Sequence, residues 1–458
     1  MVHNCKRVIE LAGYSLAGFA VIYLTFSIIL CFNTETAGHA FGMLSEKNRM
    51  VPAFADLRAI TALAGCKADL NLVIEGLSAG CDPYGRTGGL GYPPLTYQLA
   101  RTIGVTGSWT GPTAAACGIT LMVIVLADCQ RTSCSTSQQA MIAGALLLSF
   151  PAQLAMERMN VDMIILIGLR IVAWLRDSNQ DRGRLTWIKP GTAAVLVAVL
   201  GGSKIYPSIG VLAWFAFESK LQNKIGKEDC LIAAGAIAGM ALSAPWILSG
   251  DTYAIPPISL TSHGLVAGRN GEPMAALWTL ISIGSMVAGY WGFARESQRE
   301  HENAAKQDPD ETNSIKNCAG DIDTWTSLSF LSWVTSYCLT TSFDYRLIFL
   351  FPLLTKLPAK ATKTARRNAK PSVAIIGCAI AAAYLYLPFI YMWIEESQMS
   401  SLTSGGWQES IALIAARYGT GALSRLLDLT GLPYLAGICA CYVKRGKQDD
   451  KMSKSTLQ

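Results

Sequence analysis

Apolar runs long enough to cross a bilayer recur along this chain, and they constrain its fold more than any other feature. A hydrocarbon core about 30 Å thick needs about 20 apolar residues of helix, and no lipid-facing backbone group can stay unpaired inside it. Runs of this character lie at 13–33, 111–128, 138–156, 160–175, 191–203, 205–218, 230–248, 274–294, 326–341, 346–356, 372–394 and 426–443. They predict an all-α fold, a polytopic transmembrane helical bundle of about 11–12 spans, as a single integral membrane domain over 1–458. Composition agrees. Only 15% of the residues are charged and 51% are hydrophobic, whereas a soluble domain carries about 25% charged residues.

The first run follows Lys6 and Arg7, the order found in a secretory signal. Signals have apolar cores of only about 7–15 residues, so 13–33 reads as an uncleaved first span, with cleavage near Ala40 as the alternative. The runs 191–203 and 205–218 flank "GGSK" and read either as two spans or as one broken element with Lys204 at the break. Irregular backbone at membrane depth survives only where protein buries it or where it lines a wet cavity. That makes Lys204 a candidate site residue.

Basic residues orient the chain. With a cytoplasmic N-terminus, Arg131, Arg176, Arg182, Arg184, Lys189, Lys220, Lys224, Lys227, Arg295, Arg299, Lys306 and Lys316 all fall in cytoplasmic loops. So do "KLPAKATKTARRNAK" and the tail 444–458. The pattern obeys the positive-inside rule and places both termini in the cytoplasm. It also accounts for the net charge of +6, so no nucleic-acid partner is inferred. The segment 295–325 mixes both signs and reads as a solvated cytoplasmic polar loop.

The first external loop, 34–110, is long, and loops beyond about 12–15 residues usually carry function or structure of their own. Within it "VPAFADLRAITALAG" and "ADLNLVIEGLSAG" have apolar residues at helical spacing, fitting amphipathic surface helices. The stretch "GCDPYGRTGGLGYPPLTY" follows, where Gly-Gly-x-Gly and Pro-Pro exclude regular helix. "LTYQLARTIG" then resumes one.

Candidate chemistry collects on this external side. Lys67, Asp69 and Glu75 read as solvated charges and Asp82 as a turn initiator. Asp56 differs because it lies in an otherwise apolar segment near the interface, where burial is costly. Further along, "MERMNVDMII" places Glu157, Arg158, Asn160 and Asp162 at an external turn. "GGSKIYP" adds Lys204 and Tyr206, and "TTSFDYRLIF" adds Asp344, Tyr345 and Arg346. Ionisable residues at membrane depth are functional candidates, although Glu157/Arg158 and Asp344/Arg346 also read as structural ion pairs. A carboxylate among several cations suits a base working beside a phosphate anion.

Of the 13 cysteines most lie in apolar runs, where they act as small hydrophobes. Cys66 and Cys81 share the external loop and are either free or joined in a disulfide. His3, His39, His263 and His301 form no cluster, so no cofactor is expected and a metal, if used, would need carboxylate ligands.

Taken in order, the acidic motif after the first span, "DPY…YPPL", "ERMNVD", "KIYP" and "DYRLIFLFP" resemble membrane glycosyltransferases of the C-type superfamily (GT-C). Within it the chain looks like the family-87 mannosyltransferases and bacterial membrane proteins that share "FADLR" and "CDPxGR…YPP". The likeness runs from Asp56 to about Pro352. It implies transfer of a hexose from a polyprenyl-phosphate donor to a glycan or glycolipid acceptor at the outer face of a bacterial inner membrane. It also implies an inverting displacement with an Asp base. Asp56 in "FADLR" matches that base, with Asp69 as the alternative. Arg346, Lys204 and Arg158 match the donor-phosphate cations. Substrate contacts are implied for Arg58, Tyr84, Arg86, Tyr92, Asp162, Tyr206, Asp344 and Tyr345. Tyr84, Tyr92 and Tyr97 would be stacking surfaces for a sugar, with plain packing the role of at least one of the three. Two rival readings stand beside this one. One is a transporter or flippase, favoured by the break at Lys204; the other is a ligase or polymerase of lipid-linked glycans.

Overall fold

Apolar runs with no water to pair their backbone fold as helices, and the described residues are almost wholly helical. The structure is a computed structural model that describes residues 2–33, 54–65, 92–178, 188–222, 226–248, 262–263, 275–307, 323–339, 342–358, 373–404, 423, 430–441 and 443. The helices are α1 (Val2–Asn33), α2 (Ala55–Gly65), α3 (Pro94–Thr102), α4 (Thr110–Gln130), α5 (Thr136–Leu148) and α6 (Phe150–Arg158). They continue with α7 (Val161–Asp177), α8 (Ile188–Ser203), α9 (Ile205–Gln222), α10 (Lys227–Leu248), α11 (Ala275–Gln307) and α12 (Thr324–Leu339). A 3-10 helix over Asp344–Leu350 leads into α13 (Phe351–Leu354), then α14 (Val373–Ser404) and α15 (Leu432–Cys441). Two strands of two residues, β1 (Ser262–His263) and β2 (Ser342–Phe343), pair antiparallel.

Three helices are long and apolar enough to cross a membrane, over Glu10–Ile29, Gly107–Gln130 and Lys227–Pro245. A fourth arises if α5 and α6 count as one span bent by 50°. α1 turns Leu11, Phe19, Ile22 and Phe26 outward, as a lipid-facing helix does.

Several expected boundaries move. The run 138–156 is broken at Ser149, whose backbone is extended, and Pro151 follows where it removes a helix hydrogen bond. The run 346–356 does not form one helix, being 3-10 up to Leu350 and a single α turn after it. The polar segment 295–325 is helical as far as Gln307, because "RESQREHENAAKQ" is rich in helix formers and holds neither Gly nor Pro. The second surface helix, the Gly-rich stretch up to 91, Cys66 and Cys81 lie outside the described residues.

Small residues set the packing. A Cβ on Gly235 of α10 would meet the backbone of Ala194 on α8, and one on Gly210 of α9 would come within 2.9 Å of the Ser332 backbone on α12. Close backbone approach of this kind drives helix association where water is absent. α12 carries hydroxyls at Thr326, Ser327, Ser329, Ser332 and Ser336, all fully buried. Its N-terminal end joins a charged belt. Trp325 Nε1 donates to Asp128 at 2.7 Å, and Arg170 pairs with the same carboxylate at 3.3 Å. Beside it Arg176 pairs with Asp229 at 3.3 Å and donates to Thr324 Oγ1 at 2.9 Å, while Thr324 donates to Asp177 at 2.6 Å. The belt ties α4, α7, α10 and α12 together at one end of the bundle. The other end holds the candidate site.

Candidate functional site at the α2, α7 and α9 N-termini

The site is built around a sharp elbow between α6 and α7. α6 ends on Met159, which adopts the left-handed conformation (φ 46°) and donates its N–H to the Ala155 carbonyl. Glycine normally takes that position, and here a fully buried methionine does. Asn160 then caps α7, its Oδ1 accepting from the Asp162 N–H at 3.1 Å. α2 starts against the same elbow. Phe54, also left-handed (φ 59°) and buried, donates its N–H to the Glu157 carbonyl at 2.7 Å. Among the described residues these two are the non-glycine positions with positive φ. Each costs about 1–3 kcal/mol, and such strain gathers where function fixes geometry.

The two strained residues bring Asp56 onto Asn160. Asn160 Nδ2 donates to Asp56 Oδ2 at 2.7 Å. Lys204, in the break between α8 and α9, donates from Nζ to Asn160 Oδ1 at 3.1 Å and to Asp162 Oδ1 at 2.6 Å. Asn160 Oδ1 therefore faces two donors and its Nδ2 faces an acceptor. Flipping the amide would oppose donor to donor, so the network fixes its orientation.

Asp162 is the hub. It is fully buried and also accepts from the Tyr206 hydroxyl at 2.7 Å and from Arg346 Nε at 2.9 Å. A buried carboxylate costs several kcal/mol unless it is paired and hydrogen-bonded, and here both conditions are met. Arg346 reaches it from the 3-10 helix, donates to Ser336 Oγ of α12 at 3.0 Å, and stacks 5.3 Å from the Tyr206 ring centre. Lys204 Nζ lies 5.1 Å from the Tyr92 ring centre, a cation–π contact.

The two carboxylates differ in what they can do. Asp162 is saturated with donors and sealed from solvent, which suits a structural anchor. Asp56 is partly exposed, and only its Oδ2 is hydrogen-bonded to another described residue. Its Oδ1 is left to accept a proton. Lys204 uses two of its three N–H groups on Asn160 and Asp162, which leaves one for a ligand. Asp56, Asp162 and Tyr206 stand in the first turns of α2, α7 and α9, whose positive dipole ends converge here.

The structure thus brings together Asp56, Tyr92, Asp162, Lys204, Tyr206 and Arg346 from the sequence candidates. Arg58 lies two residues from Asp56 on α2 and is half-buried. Arg158 ends α6 but makes no hydrogen bond or ion pair with another described residue. Asp69, Tyr84 and Arg86, and the side chains of Asp344 and Tyr345, lie outside the described residues. Asn160, which the sequence placed at the external turn without a role of its own, is the residue joining the two carboxylates. Its signal was an Asn directly before an apolar helical run, the mark of an N-cap. Among the described residues no group of three His, Cys, Asp or Glu side chains is placed to hold a metal. Compared with family models, with curated proteins and with solved structures, the chain matches none.

Proposed function

We propose that this chain is a GT-C-type membrane glycosyltransferase that moves a hexose from a polyprenyl-phosphate donor to a glycan or glycolipid acceptor. The bundle of 11–12 spans would set the site at the non-cytoplasmic face, with both termini in the cytoplasm. The observation that carries the reading is the partly exposed Asp56 carboxylate, held at one oxygen by Asn160 beside half-buried Lys204 and buried Arg346. Asp56 Oδ1 takes the proton of an acceptor hydroxyl as that oxygen attacks the anomeric carbon. The bond from this carbon to the phosphate oxygen breaks, the electron pair leaves with the polyprenyl phosphate, and the anomeric centre inverts.

In this reading the leaving anion would be stabilised by groups other than Arg346. Arg346 is held by Asp162 and Ser336, so its part is to hold Asp162 and add to the positive field. Stabilising the leaving anion would then fall to Lys204 and to the positive ends of the helices that start at the site. Fixed dipoles and cations of this kind lower a barrier because they need no reorganisation during reaction. Tyr92, against Lys204, offers a ring on which a sugar can stack.

A transporter remains the second reading, because α8 and α9 break at a half-buried lysine. Against it, α7 and α12 join charged or hydroxyl networks at both ends, Asp162 and Ser336 at one and Arg176 and Thr324 at the other. This favours a rigid scaffold over rocking halves. Reconstituting the full chain in liposomes with tritium-labelled polyprenyl-phosphate mannose, glucose or galactose, together with extracted host envelope glycans, separates the two. Label in a new glycosidic linkage with release of polyprenyl phosphate supports the transferase. Label crossing the bilayer with its phosphate bond intact supports the transporter.

A further inference from the structure

The joint between the two carboxylates carries an assignment of its own. Asp56 stands in the first turn of α2. Its restraint comes from the elbow: the Phe54 N–H bonds the Glu157 carbonyl at 2.7 Å and Asn160 Nδ2 bonds Asp56 Oδ2 at 2.7 Å. Asn160 is itself fixed by three contacts it cannot exchange. These are its cap bond to the Asp162 N–H, its bond from Lys204, and the left-handed Met159 that aims it. It is 4% exposed, so water does not compete for its amide.

We infer that Asn160 is the positioning residue of the reaction, the group that turns Asp56 Oδ1 toward the acceptor hydroxyl and couples its orientation to the Asp162–Lys204–Arg346 cluster. The inference rests on Asp56 being the base. Asn160 touches no reacting atom. It acts by denying Asp56 the rotation about its side-chain torsions that would turn Oδ1 away, and a displacement of about 1 Å at a reacting group is worth about a hundredfold in rate. Donor binding involves Lys204 and Tyr92 directly and Asn160 only through them, so the rate and the donor KM separate. A residue that merely caps α7 would affect both through loss of fold.

The test uses the full chain in membranes of its host, with tritium-labelled polyprenyl-phosphate hexose as the probe and native acceptor present. Asn160→Ser keeps a capping oxygen for α7 but cannot reach Asp56. Asn160→Asp keeps the cap and the acceptor for Lys204 but has no proton to donate. Asn160→Ser is expected to lower kcat by about tenfold to a hundredfold, with donor KM within about twofold and the thermal midpoint within about 2 °C of wild type. Asn160→Asp is expected to lower kcat at least as much, with a lower midpoint and a raised donor KM because it buries a further carboxylate beside Asp56 and Lys204. A kcat within twofold of wild type in both variants overturns the assignment. So does a fall in kcat that tracks a loss of folded protein. Asp56→Asn, run alongside, distinguishes the two layers. An inactive Asp56→Asn with a full rate in Asn160→Ser removes only the role of Asn160, whereas a full rate in Asp56→Asn removes the base itself.

Discussion

Removing the charge of Asp162 should be the most damaging single change at this end of the bundle. Its carboxylate is fully buried and is the shared counter-charge of Lys204 at 2.6 Å and Arg346 at 2.9 Å, with the Tyr206 hydroxyl at 2.7 Å. Asp162→Asn preserves the shape but takes away the carboxylate that the two largely buried cations share. Breaking one buried pair costs about 3–5 kcal/mol, mainly through the uncompensated charge. Unfolding entropy of about 2.1 cal/mol/K per residue gives about 1 kcal/mol/K for a chain of this length, so the midpoint should fall by at least about 3–5 °C. This is a lower bound, because helices that persist in the denatured state reduce the entropy released. The assay is the thermal midpoint of detergent-solubilised full chain, followed by size-exclusion chromatography after heating. A companion variant checks the cause. Asp162→Leu combined with Lys204→Met and Arg346→Met removes every charge of the triad and should recover most of the loss, since apolar packing replaces a buried ion network at little cost. A midpoint for Asp162→Asn within 1 °C of wild type would refute the reasoning, as would a triple variant less stable than the single one.

Other consequences follow from the packing and the opposite belt. Gly235→Val should lower stability by about 1–3 kcal/mol by forcing α10 off the Ala194 backbone of α8, read from the same thermal midpoint. Trp325→Phe keeps a ring under Arg170 but deletes the 2.7 Å bond to buried Asp128, costing about 1.5–3 kcal/mol with activity retained. Burial pushes the Asp323 carboxyl up, but Lys356 and two hydrogen bonds from Thr326 outweigh it and hold the group below its ordinary 3.8. A folded value below the unfolded one adds stability that is present above pH 3.8 and lost as pH falls through the folded value. Asp323→Asn should therefore flatten the acid limb of a midpoint-versus-pH curve and lower stability most at neutral pH, where the contribution is fully present.

Much of the site was legible in the residues because polar groups are expensive at membrane depth. Asp56, Lys204, Tyr206, Asp162 and Arg346 each interrupt an apolar segment, and each proved to lie in one connected cluster. What composition does not encode is pairing. Lys204 and Arg346 looked like two cations awaiting a phosphate, whereas the fold gives both to Asp162, a contact spanning 184 positions for Arg346. Asn160 was placed at the external turn but given no role, because an amide carries no charge to flag it, although its capping position was readable. The belt of Asp128, Arg170 and Trp325 was missed for a different reason. Arg170 was absorbed into an apolar run, when a cation inside such a run should have prompted a search for its partner. The bend at Ser149 and the helical extension to Gln307 are local effects of Pro151 and of strong helix formers, and both were readable from the residues.

The account depends most on one carboxylate oxygen accepting the acceptor's proton. Its most direct test is single-turnover transfer from labelled polyprenyl-phosphate hexose by wild type and by Asp56→Asn, an isosteric change that retains an oxygen to face Asn160. A general base contributes about 10²–10⁴-fold, so transfer should slow by at least about a hundredfold with donor affinity little changed. A transfer rate in Asp56→Asn within twofold of wild type would contradict the account.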